Sequence, residues 1–254
     1  QALFFADGGL LALGCNIVNL GFFPTFVAYP LIYRPIAGGR YGSPRAWIAA
    51  VAAAVAGLQL GAFCVVLQTR ASGISDLPFG AFVLMMLPIH LAIGVVEGLA
   101  TAAVVLFVAR ARPEALPAGP APGAPVRLRP VLAGLAFAAA LAGGVASWFA
   151  STHPDGLEWA MAKVSGKKEI EAPASGLHPS LARVQEKTAV LPDYGFRSPE
   201  LEPAPAAPEP GSWPAVSAGT SVAGIAGGVI TLLLACLLGV ALKPRSAPQS
   251  RNAA

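Results

Sequence analysis

Five apolar stretches, at residues 10–33, 47–67, 80–109, 131–150 and 219–242, make up almost half of this chain. Each is about long enough to cross a hydrocarbon core, which needs ~20 residues of helix. Inside lipid a backbone must satisfy its own polar groups, so open strands and loops are excluded. The expected fold is therefore an all-α integral membrane protein with about five transmembrane helices and a long extracytoplasmic loop.

The charges agree with that reading. Only 12% of residues are charged and 55% are hydrophobic, against about 25% charged in soluble domains. The net charge of +4 does not point to nucleic acid, because the basic residues gather at the ends of apolar spans rather than on an aromatic-lined face. Arg34, Arg40 and Arg45 follow the first span. Arg110, Arg112, Arg127 and Arg129 lie between the third and fourth, and Lys243, Arg245 and Arg251 follow the fifth. The loop near 68–79 carries only Arg70. The positive-inside rule places the first group in the cytoplasm, together with the C-terminus. Residues 151–218 and the loop near Asp7 are then extracytoplasmic.

Composition divides the chain further. Residues 113–129 are rich in Pro, Ala and Gly and read as a cytoplasmic linker. They separate a three-span block, 1–112, from a two-span block, 130–245, followed by a cytoplasmic tail at 246–254. The chain opens Gln-Ala-Leu-Phe-Phe-Ala with no Met. That reads as the last turns of a helix begun earlier, and the chain as a fragment. Residues 199–214 are low-complexity and read as disordered. Asp155 and Glu158 have capping-box spacing, so a short helix is expected from 156, carrying Leu157, Trp159 and Met161.

Chemistry must be sought among the few polar groups within spans. Asn16 and Asn19 are three apart, on one helical face. They serve either as interhelical glue or as support for a polar site. His90 and Glu97 are seven apart in the third span. An ionisable group there is a functional candidate by default. The pair reads as a metal ligand, a ligand-supporting partner or a proton relay, or else as a polar pair that fixes packing. One His and one Glu make a poor closed metal site. Gly224 and Gly228 form a GxxxG frame in the fifth span. Cys15, Cys64 and Cys236 lie in apolar spans and read as packing residues. His153 and His178 fall in the outer segment and read as solvated. No P-loop, HExxH or GxSxG pattern occurs, so this chain is not expected to be an enzyme.

Two runs resemble one family. Phe4-Phe5-Ala6-Asp7-Gly8-Gly9 with Leu13-Gly14-Cys15-Asn16-Ile17-Val18-Asn19, and Pro88-Ile89-His90-Leu91-Ala92-Ile93-Gly94-Val95-Val96-Glu97-Gly98, resemble the CbiM/NikM proteins. These are the substrate-binding membrane components of energy-coupling-factor (ECF) cobalt and nickel importers. Pro154-Asp155-Gly156-Leu157-Glu158 resembles the signature of the PDGLE domain (NikN/CbiN-like), an accessory partner often fused to that component. Together the two resemblances cover nearly the whole chain.

The resemblance implies capture of Co²⁺ or Ni²⁺ from outside as transported ion, with no tightly bound cofactor. It implies a CbiQ/NikQ-like transmembrane coupling protein and a CbiO/NikO-like cytoplasmic ATPase as partners, in the bacterial cytoplasmic membrane. The family's primary ligands, a Met-His start and a further His, match no residue here, so they are expected upstream of Gln1. Asp7, Gly8 and Gly9 are expected to form an outward turn. Asn16, Asn19, His90 and Glu97 are expected to form a supporting polar network. A proton-coupled secondary transporter using His90 and Glu97, and a non-transporting scaffold, remain as alternatives.

Overall fold

The computed structural model describes residues 1–73, 77–113, 116, 128–151, 153–166, 175–197 and 213–242. Nearly all of the expected linker, most of the low-complexity stretch at 199–214 and the C-terminal tail lie outside the described residues. Eight α-helices are described: α1 Gly9–Asn16, α2 Arg34–Ala37, α3 Pro44–Ser72, α4 Phe79–Ala111, α5 Leu128–Gly144, α6 Gly156–Ser165, α7 His178–Thr188 and α8 Ala218–Ala241. A π-helical stretch, Ile17–Tyr33, joins α1 to α2 without a break and holds Pro24 and Pro30. Each proline removes one amide donor from the backbone ladder.

Among the described residues, four helices are long and apolar enough to cross a membrane: Gly9–Ala37, Pro44–Ser72, Phe79–Ala111 and Ala218–Ala241. The fourth stretch, expected at 131–150, is shorter as a helix. It ends at Gly144 and continues as a 3-10 turn, Ala146–Phe149, where Gly143 and Gly144 are poor helix formers.

The chain packs as two units, Gln1–Val126 with His153–Ala189, and Arg127–Thr152 with Val190–Ala254. This division cuts across the sequential one at the linker, because the first part of the outer segment packs with the three-span block.

In the first unit the spans meet through glycines. A Cβ on Gly57 would lie 3.5 Å from Pro24, and one on Gly61 would lie 2.8 Å from the Asn19 carbonyl oxygen. Gly57 and Gly61 thus form a notch in α3 that receives the first span. Gly94 and Gly98 of α4 press on α3 in turn, where added Cβ atoms would stand 2.9 Å from the Val55 Cα and 2.5 Å from the Val51 Cα. In lipid, where no hydrophobic force holds helices together, such backbone approach supplies the packing energy. Ala49, Ala50, Ala102, Tyr33 and Ala37 form one buried cluster around these contacts.

Polar bonds add to this. The Asn19 amide donates to Gln68 Oε1 at 2.8 Å, and Gln59 Nε2 donates to the Leu87 carbonyl at 2.8 Å. Asn19 is 3% exposed. Replacing Asn19 by Leu is expected to cost ~1–2 kcal/mol by stranding Gln68. The double change with Gln68→Leu is expected to recover part of that. Thermal unfolding in detergent checks both.

In the second unit α5 and α8 cross at Gly143 and Gly224, where a Cβ on Gly224 would stand 2.5 Å from the Gly143 carbonyl oxygen. Ser221 Oγ donates to the Gly144 carbonyl at 2.6 Å and accepts from Trp148 Nε1 at 2.7 Å. Of the expected GxxxG frame only Gly224 makes the crossing. Gly228 has open space around it.

Candidate functional site

The outer segment reaches the three-span block at two places. The first is α6. Asp155 Oδ1 accepts from the Glu158 amide at 2.8 Å, and Glu158 Oε2 accepts from the Asp155 amide at 3.3 Å. The two acids form a full capping box, satisfying donors that every helix start leaves open. They are exposed and are engaged in starting the helix.

Leu157, Ala160, Met161 and Val164 follow at helical spacing and enter a cluster with Ala62, Val66, Phe82 and Met86. This is the face that docks α6 on α3 and α4. Trp159, expected on the same helix, is 37% exposed and stands off that face, with Lys163 Nζ 5.8 Å from its ring centroid.

His90 sits at the head of this contact. Its Nδ1 lies 2.8 Å from the Met86 carbonyl oxygen. Only a protonated Nδ1 can bond that acceptor, so a neutral ring carries its lone pair on Nε2. The ring faces Gly156, where a Cβ would lie 3.2 Å from His90 Cε1, 3.2 Å from Ile93 Cδ1 and 3.5 Å from His90 Nε2. The glycine of the PDGLE signature is thus the residue that lets α6 close on the histidine of the third span.

The second place is α7. Gln185 Oε1 accepts from the Leu10 amide at 2.7 Å, and its Nε2 donates to the Ala6 carbonyl at 3.2 Å. Ala6, Gly8 and Gly9 have φ of 59°, 67° and 70°, so the chain turns sharply before α1. Asn16 Nδ2 would be 3.1 Å from a Cβ on Gly8, which places that amide against the turn.

Asn16 and Asn19 therefore serve different neighbours, one the turn before α1 and the other Gln68. His90 and Glu97 are not brought together either. Glu97 is exposed and forms no bond with any described residue. The expected four-residue polar network does not form among the described residues: Asn16 lies against the turn, Asn19 bonds Gln68, His90 faces α6 and Glu97 meets no described partner. Also among the described residues, no group of three or more His, Cys, Asp or Glu gathers to hold a metal. Sequence reasoning missed Gln185, whose partners lie 175 and 179 positions away. It also missed the glycine notches. Their GxxxG spacing at 57/61 and 94/98 was a readable signal.

Comparison with known proteins gives two family matches. Residues 1–115 match the cobalt uptake substrate-specific transmembrane region (CbiM), and residues 129–244 match the PDGLE domain. A NikMN-type fused nickel transport protein of Archaeoglobus fulgidus is 33% identical over 92% of this chain and 66% of its own length. The fused nickel transport protein NikMN of Rhodobacter capsulatus is 31% identical over 76% of this chain and 61% of its own length. A metal transport protein of Haloquadratum walsbyi is 34% identical over 45% of this chain and 50% of its own length. The chain thus spans half to about two thirds of each of these relatives. No solved structure matches it.

Proposed function

This chain belongs to the CbiM family of membrane proteins, fused to a PDGLE domain, and from that premise we propose that it is the metal-capture component of an ECF-type importer for Ni²⁺ or Co²⁺. Residues 1–112 form the CbiM/NikM-like part and 130–245 the PDGLE part, in the bacterial cytoplasmic membrane. The C-terminus is cytoplasmic and 151–218 extracytoplasmic. A CbiQ/NikQ-like protein couples the component to a CbiO/NikO-like ATPase, which does the hydrolysis. The resemblance puts the primary ligands in a Met-His segment that has no counterpart in residues 1–254. The chain's own polar groups then shape the mouth rather than hold the ion.

The observation that carries this reading is the closure of α6 on His90 through Gly156. The PDGLE start is built to sit on the outer ends of α3 and α4. In the proposed cycle it covers the mouth and guides the ion inward. His90 orients it, and Asp155 and Glu158 start the helix that seats it.

Uptake of radioactive Ni²⁺ and Co²⁺ tests the reading, in cells expressing the gene that encodes this chain with and without the ATPase. Uptake raised by the ATPase supports it. Uptake that collapses with a protonophore and ignores the ATPase sends the assignment to secondary transport. Asp155→Ala with Glu158→Ala removes both halves of the box, each worth ~0.5–2 kcal/mol, and is expected to lower uptake severalfold. Unchanged uptake counts against a role for α6.

A further inference from the structure

The N-cap position of α1 is a glycine and has no side chain to cap the helix. Gly8 stands at the N-cap position with φ 67°, and no side chain there bonds the helix amides. The first four amides of a helix have no partner within it. One of them, Leu10, is instead bonded at 2.7 Å by Gln185 from α7, and the same side chain bonds the Ala6 carbonyl at 3.2 Å on the far side of the turn. Gln185 thus bridges both ends of Ala6–Leu10. The fit is close, since a Cβ on Gly9 would lie 3.1 Å from Gln185 Oε1 and 3.4 Å from its Nε2. Gly9 also needs its φ of 70°, a region glycine enters without cost.

Helix α7 presents a half-buried face, with Leu181 beside Gln185, ahead of Ala189, which is 3% exposed. His178–Thr188 contains no buried residue, and α1 contains none either. Both of these long-range hydrogen bonds run through one amide side chain. Such a joint is directional and depends on both of its bonds.

We propose that Gln185 is a positioning residue, a cap supplied in trans that holds the Asp7–Gly8–Gly9 turn in place and thereby sets how readily the ion is captured. The transport half rests on the function proposed above, whereas the capping half does not. When α7 is seated, the turn has both its donor and its acceptor satisfied. When α7 leaves, Leu10 and Ala6 lose their partners together and the turn opens. The accessory segment therefore grips the block twice, by an apolar face at α6 and by this bridge at α7. The second grip reaches the side where the family resemblance places ion capture.

The test compares wild type with Gln185→Ala and Gln185→Glu, each expressed with its membrane neighbours. Hydrogen exchange is followed at Leu10 and uptake against Ni²⁺ or Co²⁺ concentration. Gln185→Ala is expected to speed Leu10 exchange roughly three- to tenfold, as loss of one hydrogen bond implies. It is expected to raise the half-saturating metal concentration severalfold, with maximal uptake and membrane abundance within twofold of wild type. Gln185→Glu keeps the acceptor for Leu10 and loses the donor to Ala6, so it is expected to fall between. Unchanged Leu10 exchange in Gln185→Ala overturns the proposal. Faster exchange with an unmoved half-saturation also overturns it, since Gln185 is then a structural cap only. If wild type transports neither ion, the function proposed above fails, and the cap is judged on Leu10 exchange alone.

Discussion

Gly156→Val is expected to lift α6 off the three-span block. The Cβ alone would stand 3.2 Å from His90 Cε1 and from Ile93 Cδ1. The ring cannot swing away cheaply, because its Nδ1 is held at 2.8 Å by the Met86 carbonyl. Even Gly156→Ala is informative, for Ala favours a helix over Gly by about 1 kcal/mol. An isolated peptide of this segment should therefore become more helical, while the protein loses docking. Overpacking of this kind costs ~1–3 kcal/mol, which makes undocking roughly five- to more than a hundredfold more frequent.

Limited proteolysis of 153–166 in membranes reads that change directly. Adding His90→Ala to Gly156→Val opens the space and is expected to restore much of the protection. A double mutant no better protected than Gly156→Val would show that the two residues do not meet.

Gly98→Leu is expected to have the larger effect on the fold itself. A Cβ at 98 would stand 2.5 Å from the Val51 Cα. That neighbour is backbone, so only separation of α3 from α4 relieves the clash. Every contact along the pair loosens with it, including those of Gly94 and the Ala49–Ala102 cluster. Gly98→Ala is expected to cost ~2–3 kcal/mol, and Gly98→Leu to leave little folded protein in detergent. Gly80→Ala lies on the same helix in open space and is the control, expected to leave stability unchanged or to raise it by up to about 1 kcal/mol through helix propensity. Equal loss at 80 and 98 would show that the close approach at Gly98 does not set the cost.

Some of the site was legible before any fold was known. Asp155 and Glu158 announce a helix start because a capping box is local, needing only four consecutive residues and two short bonds. Trp159 lies on that helix as expected, but off its docking face. Leu157, Ala160, Met161 and Val164 follow the 3.6-residue period, and Trp159 does not. His90 and Glu97 share a heptad spacing, yet the neighbours of their helix decide what each meets. His90 faces α6, while Glu97 finds no partner among the described residues.

The sequence by itself determined that this chain lives in a membrane as helices, where four of its five expected spans lie, and where the capping box begins α6. Hydrophobic length, charge at span ends and short-range capping are properties of neighbouring residues, so one dimension carries them. Only the tertiary structure decided which glycines touch, that Gly156 meets His90, and that Gln185 caps a helix far from it in the chain. Those contacts depend on which helix faces come together, and the choice between faces is made by close backbone approach, which amino-acid order specifies only jointly across the whole bundle.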